Sequence, residues 1–222
     1  MEFYIDCGNT ELIRHYITSF NLKGITCNPT ILIKDKGTIQ EVLDTVPEEM
    51  DLYFEVVATD HEGMIREARL LSSLRKSITV KIPATPEGFM AIRELAKDGI
   101  RTLGTAVYSV QQALCAACNG AKEVAPYIGR IDNMGFDGVK TALDIHRAFT
   151  VQNIDCAVFG ASFKNVAQVN EVLIGGISKV TLSTDLFEKY LTDDNGVRAA
   201  EDFKSAWKDA YGTEHLFISR PV

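Results

Sequence analysis

Residues 78–99, ITVKIPATPEGFMAIRELAKDG, hold one complete strand–helix unit, and the reading of the fold grows from it. The stretch 78–84 is rich in β-branched residues and broken by a single charge, Lys81. Thr85-Pro86-Glu87 then signals a helix start, with proline in the first turn. Phe89, Ile92 and Leu95 recur at helical spacing and form an apolar stripe. Asp98-Gly99 ends the helix where the chain must turn back. The next strand-like run, 102–107, follows at once.

The same alternation covers most of the chain. Further strands are expected at 2–7, 24–28, 52–58, 123–128, 155–161 and 179–183. Met64, Ala68, Leu71 and Leu74 form a second helical stripe. Asn9-Thr10-Glu11 marks the start of the first helix and Thr59-Asp60 that of the third, while Asn119-Gly120 ends another. Strands that alternate with helices pair in parallel through right-handed crossovers. Eight such units in 222 residues predict an α/β fold, the (β/α)8 TIM barrel, as a single domain over 1–222. Beyond the eighth strand we expect one short helix. A C-terminal helical extension and polar tail follow from about residue 196, with Phe203, Trp207 and Tyr211 on the amphipathic helix. An open doubly wound sheet would call for G-x-G-x-x-G after an early strand, and neither that motif nor G-x-x-x-x-G-K-[ST] is present.

Composition narrows the class. Hydrophobic residues at 46% and charged residues at 24% are usual for a globular chain and argue against extended disorder. A net charge of −7 argues against a broadly basic nucleic-acid surface, while leaving room for a local phosphate pocket. No apolar run has the length of a membrane span, and Met1-Glu2-Phe3-Tyr4 does not resemble a signal peptide. Five cysteines do not make a disulfide framework. The expectation is a reduced, cytoplasmic protein with neither nucleic-acid nor membrane partners. Cys115 and Cys118 form a lone C-x-x-C and are expected to be buried small apolar residues. His15, His61, His146 and His215 lack ligand spacing, which disfavours a metal-dependent mechanism.

Chemistry is suggested by polar residues inside strands. A closed parallel barrel has no edge where Lys81 could serve as a gatekeeper, so its amine is expected in the barrel mouth. Burial lowers an amine pKa and frees a nucleophile for a carbonyl carbon. A purely structural ion pair fits the position equally well. Asp6 and Glu55 each share a strand face with a tyrosine two residues earlier, Tyr4 and Tyr53. If both faces point inward, one amine meets two carboxylates. Asp6 as a helix cap and Glu55 as a neutralising partner are the plainer alternatives. Tyr127 and Arg130 follow the sixth strand, and Ser162 and Lys164 the seventh, where barrel loops often bind phosphate.

Several ordered motifs resemble the small bacterial fructose-6-phosphate aldolases and the closely related short transaldolases. They are residues 1–6, Gly24-Ile-Thr-Cys-Asn-Pro-Thr30, Val80-Lys-Ile-Pro83, 102–109, Val124-Ala-Pro-Tyr-Ile-Gly-Arg-Ile-Asp132 and Ala161-Ser-Phe-Lys164. The resemblance spans nearly the whole chain and implies a (β/α)8 barrel. It makes Lys81 the Schiff-base lysine and Asp6 the carboxylate that handles the substrate's hydroxyl proton. It places Thr26 and Asn28 at the donor end. Thr105 and the residue at 55 would hold the catalytic water, and Arg130 and Ser162 the phosphate-bearing part of the sugar. It also implies no metal or organic cofactor, and a homo-oligomer as large as a decamer with C-terminal helices reaching a neighbour.

Within the family the residues are mixed. Tyr127 is aldolase-type, where transaldolases usually carry Phe, and Leu103-Gly104 and Ser162-Phe163-Lys164 also look aldolase-like. Glu55 departs from that pattern, since such aldolases carry Gln there and transaldolases Glu. Cys7 and Cys27 replace the usual Ser/Thr. The expected activity is a class I aldolase acting on fructose 6-phosphate. Transaldolase is the alternative, and a non-catalytic sugar-phosphate-binding barrel is a weaker one.

Overall fold

The computed structural model describes residues 1–218. Among them, eight parallel strands close a barrel in chain order: β1 (Glu2–Asp6), β2 (Gly24–Thr26), β3 (Asp51–Glu55), β4 (Ile78–Pro83), β5 (Thr102–Val107), β6 (Glu123–Pro126), β7 (Ala157–Gly160) and β8 (Lys179–Ser183). The β1–β8 pairing closes it, with Glu2 opposite Lys179 and Asp6 opposite Ser183. The expected (β/α)8 TIM barrel is thus the observed fold. Most strands stop short of their expected C-terminal ends because those residues serve the loops. Asn28, for instance, caps a helix instead of extending β2.

The helices are α1 (Thr10–Ser19), α2 (Pro29–Asp35), α3 (Ile39–Thr45), α4 (His61–Leu74), α5 (Pro86–Lys97), α6 (Val110–Cys118), α7 (Ile128–Asn133), α8 (Gly138–Val151), α9 (Val166–Ile174), α10 (Thr184–Leu191) and α11 (Asp194–Tyr211). Local chemistry sets their starts. Asn9 accepts from the amides of Glu11 and Leu12, Asp60 from Gly63, and Thr85 from Gly88. Pairs of helices, not single ones, follow β2 and β6, so the helices expected third and fourth are α4 and α5. The α4 stripe ends at Leu71, and Leu74 is exposed. Cys115 and Cys118 are also exposed, a correction to their expected burial, because Ala113 and Ala116 take the inward face of α6.

Residues 1–186 form one compact unit, and a second begins at Phe187. Inside the barrel, the rings of Tyr4, Tyr53 and Phe159 meet edge-to-face or tilted, with centroids 4.6–5.5 Å apart. With Leu103 they form a buried layer drawn from the odd-numbered strands. On the N-terminal side, Lys179 Nζ lies 2.6 Å from Glu123 Oε1 and 3.3 Å from Glu2 Oε2. Two residues further along come Asp6, Glu55 and Thr105 on the same odd strands and Ala161 just past the end of β7.

In the second unit, Asp193 caps α11, and Gly212 ends it in the left-handed conformation at φ +69°. Trp207, Tyr211 and Phe217 cluster with centroids 4.6–5.1 Å apart, and Lys204 and Lys208 both pair with Glu214. Phe203 is exposed. The last four residues of the predicted tail lie outside the described residues.

Candidate active site

Lys81 stands on β4 in register with Glu55 of β3 and Leu103 of β5, and only 6% of it is exposed. Its Nζ donates to the Cys27 carbonyl at 3.1 Å. Glu55 Oε2 lies 3.5 Å from Nζ, an ion pair too long for a good hydrogen bond. That buried oxygen has no hydrogen-bond partner among the described residues. Burial pulls the Lys81 ammonium down, but the Asp6 and Glu55 carboxylates outweigh it and leave the amine above its ordinary value. This reverses the sign expected from burial alone. Burial raises both carboxyls in turn, against the opposing pull of Lys81. One cation beside two acids that each resist ionisation marks a candidate site for proton transfer.

Asp6 ends β1, and its Oδ1 accepts from Thr26 Oγ1 at 2.8 Å. Across β1 the Thr26 hydroxyl, on β2, meets that of Thr181, on β8, at 2.7 Å. Thr105 and Tyr127 pair through their hydroxyls at 2.9 Å. Burial raises the Tyr127 phenol, with Lys81 opposing, so it is neutral and able to donate. The Arg130 guanidinium sits 4.7 Å from the Tyr127 ring centroid. Asn28 caps α2 through its amide oxygen, which takes the Ile31 N–H at 2.9 Å and leaves the NH2 end as the donor for a ligand.

Ser162 follows β7 in a left-handed conformation, φ +58°. Its carbonyl accepts from Gly129 at 2.7 Å. A side chain at 129 would put Cβ 2.6 Å from that oxygen, so the close approach requires glycine. Gln168 takes the Lys164 N–H at 2.7 Å and also bonds Asp132, tying the loop after β7 to α7.

These groups meet at the C-terminal mouth around a cavity of about 240 Å³, lined by Asp6, Thr26, Asn28, Lys81, Thr105, Tyr127, Arg130 and Ser162. A lateral cavity of about 390 Å³ is lined by Glu55 and shares Asn28, Thr30, Tyr127 and Arg130 with the first. Lys164 belongs to neither set; its stem lies close to Gly129 and its side chain is exposed. Thr30, Thr181 and Ser183 line the main cavity and were not foreseen. The alternation Lys179, Thr181, Ser183 in β8 carried the signal for the last two, three polar residues on one strand face. No group of three or more His, Cys, Asp or Glu among the described residues is placed to hold a metal ion.

Fold and site together define a (β/α)8 barrel with a buried amine, flanked by acids, at the functional end of its strands. That arrangement suits covalent chemistry on a carbonyl compound. The chain belongs to the Transaldolase/Fructose-6-phosphate aldolase family, whose match runs over residues 3–216. It is an enzyme of the transaldolase/aldolase class, with a sugar-phosphate reaction of that type. Solved structures support the fold alone. A mutant flavocytochrome b2 with benzoylformate matches at TM-score 0.64 and 14% identity, covering 97% of this chain and 66% of that one. A mutant mandelate oxidase with the monooxide FMN adduct matches at TM-score 0.59 and 11% identity, covering 95% and 73%. No described helix is long and apolar enough to cross a membrane.

Proposed function

We propose that the enzyme is a class I aldolase that reversibly cleaves fructose 6-phosphate to dihydroxyacetone and glyceraldehyde 3-phosphate. The observation that carries this reading is the buried Lys81 amine beside Glu55 and Asp6, within a site that also holds the Thr105–Tyr127 pair. Lys81 starts as an ammonium, so a carboxylate first takes its proton. The free amine adds to the ketose carbonyl, and loss of water leaves an iminium. The adjacent carbon–carbon bond then breaks, its electrons flow into the iminium, and Asp6 takes the proton of the hydroxyl that becomes the aldehyde. Water held by Glu55, Thr105 and Tyr127 protonates the enamine, and hydrolysis frees the donor ketone and Lys81. Arg130 and Ser162 hold the phosphate, while Thr26 and Asn28 hold the donor end. No cofactor enters this scheme.

Borohydride with a ketose donor is expected to trap the substrate on Lys81. If Lys81→Arg keeps either trapping or turnover, the proposal fails. A transaldolase reading draws on Glu55. With fructose 6-phosphate alone, free dihydroxyacetone supports the aldolase, whereas strict dependence on erythrose 4-phosphate supports transfer. Assembly into a homo-oligomer, up to a decamer, is part of the same reading, and light scattering tests it.

A further inference from the structure

We infer that Thr181 is a positioning residue for Asp6, acting through Thr26; the inference rests on the lysine-centred reading proposed above. Thr26 Oγ1 lies 2.8 Å from Asp6 Oδ1 and 2.7 Å from Thr181 Oγ1. A threonine hydroxyl has one proton, and Asp6 in the carboxylate form that takes the substrate's proton can only accept. The Thr26 proton therefore goes to Asp6, and Thr26 must accept at its other contact. The direction is fixed: Thr181 donates to Thr26, and Thr26 donates to Asp6.

The strand register builds this chain. Thr26 is paired with Asp6 on one side of β1, and Thr181 is paired with Tyr4 on the other. Thr26 is 2% exposed and Thr181 8%, so solvent does not readily replace either bond. A hydrogen bond that ends on a charged acceptor polarises the one before it. The relay pins the Asp6 carboxylate through Oδ1, and the proton drawn from substrate falls to Oδ2. Lys81 from β4, Glu55 from β3, Asp35 from α2, Arg130 from α7 and the nearby Tyr127 and Cys27 also face Asp6. All of them are unchanged when Thr181 alone is altered.

Thr181→Val removes the hydroxyl and keeps the branched shape, so Thr26 loses its donor and is free to turn from Asp6. The Asp6 carboxyl, followed by ¹³C NMR titration, is expected to protonate at a pH higher by about half a unit. The kcat for aldol cleavage is expected to fall about threefold to tenfold, the range one hydrogen bond supplies. Thr181→Ser restores both properties, and Thr181→Ala gives the same answer as Val should the Val variant fold poorly. An unmoved Asp6 titration in the Val and Ala variants would overturn the relay, as would a Ser variant as damaged as Val, since packing alone would then explain the site. If the titration moves but wild-type protein forms no imine on Lys81, the relay stands and the aldolase reading falls.

Discussion

Replacing Glu55 with glutamine removes one negative charge 3.5 Å from Lys81 Nζ and keeps the side chain's shape. At an effective dielectric of about 20, that charge pair is worth about 5 kcal/mol. The figure is an upper bound, because a glutamine carbonyl still accepts from the ammonium and Asp6 takes a larger share of the same cation. Since one pH unit corresponds to about 1.4 kcal/mol, retaining a third of the effect lowers the alkaline limb of imine formation by about one unit. The sign follows from the charge. With one anion gone, the neutral amine is favoured, and the reactive form appears at lower pH. The assay is the rate of borohydride trapping, followed by intact mass across the neutral and alkaline range. A limb that stays put or moves upward refutes the assignment of Glu55 as an electrostatic partner of Lys81. Linkage adds a second readout. Because burial raises the Glu55 carboxyl, the native state keeps that proton longer than the unfolded chain, and stability falls as pH rises from the ordinary carboxylate range through the folded value. The glutamine variant is expected to lose that part of the fall, measured as denaturant midpoint against pH.

Tyr127→Phe removes the hydroxyl that meets Thr105 at 2.9 Å and is expected to preserve imine trapping while slowing acceptor-free release of dihydroxyacetone about 100-fold. An unchanged release rate would exclude the phenol from enamine protonation. Ser162→Gly relieves the left-handed backbone at φ +58° and is expected to raise stability by about 1 kcal/mol by urea denaturation. The same change is expected to increase KM for the phosphorylated aldehyde, and both effects must appear if Ser162 is strained in order to bind. Lys179→Met strands the 3%-exposed Glu123 carboxylate and is expected to cost about 3 kcal/mol, with turnover per folded molecule unchanged. Adding Glu123→Gln to that variant should recover part of the loss, and no recovery would rule out the stranded charge as the cause.

The parts of the fold legible in the sequence are those with a signal of their own: an apolar or β-branched run, a helical stripe or a capping residue. All eight strands and the caps at Asn9, Asp60 and Thr85 belong to this group. The helices that were not foreseen are short: α2 and α3 have seven residues each and α7 has six, too few for a stripe. Tyr127 and Ile128 are strand formers, so the start of α7 read as the end of β6. The sign of the Lys81 shift was out of reach for another reason. Burial can be read from a lysine within a strand, but whether it wins depends on acids delivered by β1 and β3. Lys164 lies outside the cavity lining for a geometric reason. It sits two residues after Ser162 in the chain, but the left-handed turn at Ser162 leaves its stem beside Gly129 and outside the cavity lining.

What made the site itself readable is that packing and chemistry share one register. Tyr4, Tyr53, Leu103 and Phe159 fill the barrel as a buried layer, and two residues on come Asp6, Glu55 and Thr105 on their strands and Ala161 just past β7. A slip of one residue in β1 or β3 would turn the tyrosine out of the core and the acid away from Lys81 at the same time. Burying a layer of large side chains, at about 1.5–3 kcal/mol apiece, far outweighs the cost of holding two acids beside one amine. The hydrophobic layer therefore supplies the free energy that aims the acids, although neither Tyr4 nor Phe159 need take part in the reaction. The same logic explains why polar residues within strands were the informative ones: in a closed parallel barrel a charge on the inward face above a filled layer has only the mouth left to occupy.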